Sequence, residues 1–133
     1  NNALAHAYYA EILINQNDYN LFDKAIAESQ TSRDLDPSLL ETHRARGIVL
    51  LNTQNVEQAV SEFQAALNIN KNIADLHLNL GLAYRLLQKY DLAQEALLAA
   101  YAFAATAAPM VLTFLCGRTL RAGCPVCRRS GKS

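Results

Sequence analysis

The chain has no tryptophan, and its 133 residues include only five glycines and three prolines. So few helix breakers, beside abundant Ala, Leu, Asn and Gln, favour helices over sheet. Cysteine is missing from residues 1–115, so no disulfide framework holds the body together. The three that exist, Cys116, Cys124 and Cys127, lie in the last 18 residues. Charge of either sign is not in surplus: Lys+Arg and Asp+Glu both count 12. A neutral chain has no overall pull toward nucleic acid or acidic membranes, and neither is expected as a partner. There is no secretory signal, so a cytoplasmic location is expected, and the opening Asn1-Asn2 without Met is what a trimmed fragment shows.

What is present is a period. Gly47, Ala59 and Ala66 are followed at an offset of 34 by Gly81, Ala93 and Ala100. Between them, Leu76, Leu80, Ala83, Tyr84 and Leu87 recur at three and four residues, the spacing of one apolar helical stripe. Ile48, Leu51, Val56, Val60, Phe63 and Leu67 do the same across two segments, divided by the polar break Asn52–Asn55. Each unit of that period therefore reads as two antiparallel helices with a tight turn. Helix axes approach to about 8 Å only where the contact residue is small. Gly inside a helix costs about 1 kcal/mol relative to Ala, so its recurrence points to a packing demand. A third copy lies upstream: Ala25 precedes Ala59 by the same offset, and Ala10 is the small residue of its first helix. The step from Ala10 to Ala25 is longer by three than the step from Gly47 to Ala59, which puts the surplus in the turn Asn15–Asp23.

A helix–turn–helix period of 34, in which Gly is followed by Ala at the twelfth and nineteenth places, resembles the tetratricopeptide repeat (TPR). Gly81, Tyr84, Ala93 and Ala100 carry the likeness in one unit, and Gly47, Ala59, Phe63 and Ala66 in another. The first unit keeps Ala25 and Pro37 but departs at Ser29 and Ser32. His43 and His77 stand where the signature Trp would be and read as packing residues. The resemblance implies an all-α, right-handed superhelical solenoid of three units, about 3–37, 38–71 and 72–105, plus a C-terminal helix. It further implies a non-catalytic scaffold whose first helices line a concave groove for a peptide or protein segment. By register the groove residues are Glu11 and Asn15, then Arg44, Ile48, Leu51 and Asn52, then Asp75, Asn79, Leu82, Arg85 and Leu86. Asn52 and Asn79 could hold a peptide backbone, and Arg44 or Arg85 could fork onto a carboxylate. The TPR type that clamps a C-terminal carboxylate is not expected: Ala7, Glu11, Ala45 and Asp75 occupy most of its places, and two of these would repel the ligand.

No chemistry competes with that reading. Ser29, Ser32 and Ser61 lie within helical periodicity without a base at useful spacing. The closing Ser130–Ser133 has the tail of a phosphate loop but no glycine at the upstream place the loop needs, and no strand or following helix. His43 and His77, one repeat apart, stand about 10 Å from each other and do not make a metal pair. No enzyme activity, metal or cofactor is expected.

Residues 106–133 change character, with five basic residues and no acid, and 22 uncharged residues separate Glu95 from Arg118. Three readings stay open. A helix over about 109–121, opened by Pro109, would cap the stack, and its apolar face could join two copies into a homo-oligomer. A membrane anchor would be short, with roughly 13 apolar residues beyond the third unit, against the roughly 20 a span needs. The segment could also be foreign to the repeat protein. Cys124-Pro125-Val126-Cys127 with Cys116 gives three thiols and no fourth ligand, which favours spare thiols over a zinc site.

Overall fold

The structure is a computed structural model that describes residues 2–107. The helix expected over 109–121 and the C-x-x-C lie outside the described residues. The chain divides into two units after Phe103, and the packing below is that of the first.

The described residues are helical with no strand: α1 Ala3–Asn15, a 3₁₀ turn Tyr19–Leu21, α2 Phe22–Leu35, α3 Leu40–Asn52, α4 Val56–Ile69, α5 Ala74–Leu86 and α6 Tyr90–Ala107. They pair as three hairpins, each packed on the next, an all-α solenoid. The α3–α4 and α5–α6 turns are built alike. Gln54 and Gln88 sit in the left-handed region, at φ 65° and 59°. The next amide then reaches back five residues, Asn55 N–H to Leu50 O and Lys89 N–H to Tyr84 O, both at 2.9 Å. This closes the orphan carbonyls of a helix end. In the first hairpin Asn17 takes the left-handed place, at φ 53°. The chain then adds the 3₁₀ turn, whose start is fixed by Asp18 Oδ1 accepting from Asn20 N–H at 3.0 Å. These are the three surplus residues, so α1 corresponds to α3 at an offset of 37 and α2 to α4 at 34. At the other end, α6 runs to Ala107, longer than the register of the third unit required.

The small residues lie at the crossings. Ala10, Ala25, Ala59 and Ala66 have no exposed surface, and Gly47, Gly81, Ala93 and Ala100 are buried. Gly47 faces Phe63: a Cβ there would stand 2.5 Å from ring atom Cε1. Gly81 faces Leu97, one period beyond Phe63, with its Cβ 2.8 Å from Leu97 Cγ. The two glycines thus occupy equivalent sites, each giving up its side chain to a large residue of the second helix. Phe63 is wholly buried, which contributes about 1.5–3 kcal/mol.

The junctions between hairpins differ in chemistry. Between the second and third, Leu50, Phe63, Ala66, Leu76 and Leu80 form an apolar cluster. Between the first and second, the cluster is smaller, Ala10, Leu13, Ile14, Ala25 and Val49. Polar groups supplement it. Ser32 and Thr42, at the positions of Ala66 and Leu76, are fully buried, their hydroxyl oxygens 2.8 Å apart. Ser32 gives its only hydroxyl proton to Ala3 O at 2.8 Å, so Thr42 is the donor to Ser32. Arg46 Nη1 adds a 2.6 Å bond to Gln30 Oε1. No buried side-chain nitrogen or oxygen among the described residues lacks a partner. None of the described helices is long and apolar enough to cross a membrane.

Candidate binding surface

The first helices of the three hairpins present successive turns on one side of the stack. A depression of about 230 Å³ opens there, lined by Glu11 of α1, Arg44 and Ile48 of α3, and Asp75, Leu78 and Asn79 of α5. Five of these six residues are groove positions expected from the register. Leu78 is the addition; it lies one period after Arg44, so the same register that selected Arg44 could have found it. It is 44% exposed.

The charges in the depression are not equally available. Arg44 forks onto Glu11, donating from Nε to Oε1 and from Nη2 to Oε2, both at 2.9 Å. The pair joins α1 to α3 and is mostly shielded from solvent. Arg44 also stands 5.8 Å from the Tyr8 ring centroid, in cation–π range. The carboxylate onto which Arg44 was expected to fork is therefore supplied from within the chain. Asp75 and Asn79, one turn apart on α5, have no hydrogen-bond or ion-pair partner among the described residues. Asp75 is exposed and Asn79 half-buried.

The remaining expected groove residues lie outside the depression. Asn15 and Asn52 are exposed at the ends of α1 and α3, and Asn52 Nδ2 donates to Ile48 O at 2.9 Å. Leu51 packs partly into the apolar cluster of the second junction. Leu82 is half-buried, and Arg85 and Leu86 are exposed in the last turn of α5.

Two of the three histidines, His6 and His43, pair with acids, and His77 packs. His43 Nδ1 lies 2.7 Å from Glu62 Oε2, while Arg46 Nε donates to Glu62 Oε1 at 2.9 Å. The arrangement repeats in the first hairpin, where His6 Nδ1 lies 2.6 Å from Glu28 Oε2. His6 precedes His43 by 37 and Glu28 precedes Glu62 by 34, so a displaced register could have exposed the match. In the third hairpin Ala96 stands in the glutamate's place. His77 stacks on Phe103 instead, centroids 5.1 Å apart, and donates from Nε2 to Lys71 O at 2.8 Å. The difference lies in the acid on the second helix: where it is present, as for His43, the imidazole hydrogen-bonds to it, and where alanine replaces it, His77 packs on Phe103.

Small residues at the crossings, left-handed turn residues and equivalent glycines one period apart define a helical-repeat protein with a TPR-like stack. Its similarities to known proteins run in the same direction. The solved chains of MamA from MSR-1 and from AMB-1 superpose with TM-scores of 0.63 and 0.64 at 16% identity, over 74% and 76% of this chain and 53% and 56% of theirs. At that identity the likeness is one of fold. Among curated proteins, histone-binding protein N1/N2 of Xenopus laevis is 33% identical over 76 residues, 51% of this chain and 13% of its own length. The chain thus spans about an eighth of that relative and about half of the MamA chains. No protein-family model matches it.

Proposed function

We propose that the protein is a non-catalytic scaffold whose first helices hold a segment of a partner protein. The observation that carries this reading is the depression across α1, α3 and α5, where Asp75 and Asn79 have no partner among the described residues while the other two charges of the lining, Glu11 and Arg44, satisfy each other. Polar groups left open on a rigid stack bind without first giving up an internal bond, and a preformed surface loses little entropy on binding. The likeness to a histone-binding protein supports a protein partner.

The test is site-specific crosslinking in the full chain. A photo-crosslinking residue replacing Leu78 is expected to capture short histone-derived peptides, whereas the same residue replacing Gln58, exposed on α4, is not. Equal capture at both positions, or capture only from α4, refutes the assignment of the face.

A further inference from the structure

We propose that the depression is a subsite for one basic side chain of the partner, an arginine or lysine whose cation is held by Asp75. The inference rests on the binding face just proposed and specifies what that face selects. Within the depression Glu11 and Arg44 cancel, joined by two bonds of 2.9 Å. The charge that remains is the single carboxylate of Asp75, with no partner among the described residues. Next to it, the Asn79 amide offers an oxygen acceptor one helical turn away on the same face. The rest of the lining is aliphatic, Ile48 packed against both apolar clusters and Leu78 44% exposed.

This combination matches the two-part character of a long basic side chain. Its methylene stem lies along apolar surface while its charged head reaches a polar group. Leu78 and Ile48 serve the stem, and Asp75 with the Asn79 oxygen serves the head. An arginine gains most, because its planar fork can engage a carboxylate through two parallel bonds. An acidic side chain meets Asp75 without access to the Arg44 bonds that Glu11 already takes. Asp75 also lies in the first turn of α5, where a negative charge favours the helix dipole. That role concerns stability and does not discriminate between ligands.

The experiment measures binding of three matched peptides to the full chain at low ionic strength: one with arginine at a central position, one with citrulline there, one with glutamate. Citrulline keeps the shape of arginine and removes the charge. The arginine peptide is expected to bind about three- to tenfold more tightly than citrulline, the range of a partly exposed charged hydrogen bond. In Asp75→Asn that difference disappears, and in Asp75→Lys the glutamate peptide becomes the best of the three. Asn79→Ala is expected to weaken the arginine peptide while keeping some preference over citrulline. Far-ultraviolet circular dichroism of each variant separates lost binding from lost helix. An arginine–citrulline difference that survives in Asp75→Asn overturns the subsite but leaves the binding face standing. Failure of all three peptides to bind, joined to absent crosslinking at position 78, overturns both.

Discussion

Alanine at the two equivalent glycines should give opposite results. Either substitution recovers about 1 kcal/mol of helix propensity. At Gly47 the new methyl would lie 2.5, 2.7 and 2.9 Å from three atoms of the Phe63 ring. That ring is planar and fully buried, so it yields only by moving α4. Overpacking of this kind costs about 1–3 kcal/mol. Because these contacts are so short, the upper part of that range applies, and the net loss is about 1–2 kcal/mol. For a domain of this size that is a fall of roughly 4–15 °C in Tm. At Gly81 the methyl meets the Leu97 side chain at 2.8 and 2.9 Å and the Ala93 carbonyl at 3.3 Å. Leu97 is 37% exposed and can turn outward. Gly81→Ala is therefore expected to be neutral or to stabilise by up to about 1 kcal/mol. Urea and thermal unfolding followed by circular dichroism decide the matter. Adding Phe63→Leu, which gives the second hairpin the residue type of the third, should recover part of the Gly47→Ala loss, with a coupling of about 0.5–3 kcal/mol. If Gly47→Ala proves as stable as Gly81→Ala, the account of why the glycines recur fails.

Three further outcomes follow from the geometry. Ser32→Ala strands the buried Thr42 hydroxyl and should cost about 1–3 kcal/mol, whereas Ser32→Ala with Thr42→Val removes both partners and should recover most of it in urea titrations; a double variant as weak as the sum of its parts contradicts the shared bond. Gln88→Gly relieves a left-handed φ of 59° and should raise stability by about 0.5–1 kcal/mol, with a lowered Tm as the contrary result. The Ser38 hydroxyl, and then its backbone N–H, hold the exposed Asp36 carboxyl below the usual carboxylate range. A lowered folded value means that this contribution is complete above the free carboxyl value of about 3.9 and fades as pH falls through the lowered one. The stability gap between the protein and Asp36→Asn should accordingly close in acid, and a gap constant with pH would show that the carboxylate is not its source.

Backbone spacing was readable from the sequence because packing distance constrains small residues more tightly than large ones. Gly47 and Gly81 announce their equivalence through an offset, and the same register, displaced by three in α1, gives Glu11, Arg44, Ile48, Asp75 and Asn79, which line one depression. Side-chain pairing was not readable in the same way. Whether Arg44 turns to Glu11, in the preceding hairpin, depends on rotamers and on the distance between two helices of different hairpins. The His6–Glu28 pair was hidden for another reason: the 3₁₀ turn shifts α1 against the frame of the later units. Leu78 carries little signal despite its offset from Arg44, since an exposed leucine between polar neighbours has no distinguishing chemistry.

The unequal junctions imply that the two joints of the stack answer to different solvents. Added salt weakens the Arg44–Glu11 bridge and so loosens the joint between the first and second hairpins. Sulfate, by strengthening apolar burial, tightens the joint around Phe63 and Leu76. Cooling works against apolar burial at both joints, but more against the second, whose cluster is larger and lacks the hydroxyl and guanidinium bonds that supplement the first. Buffer composition alone can thus decide which of the two joints loosens first.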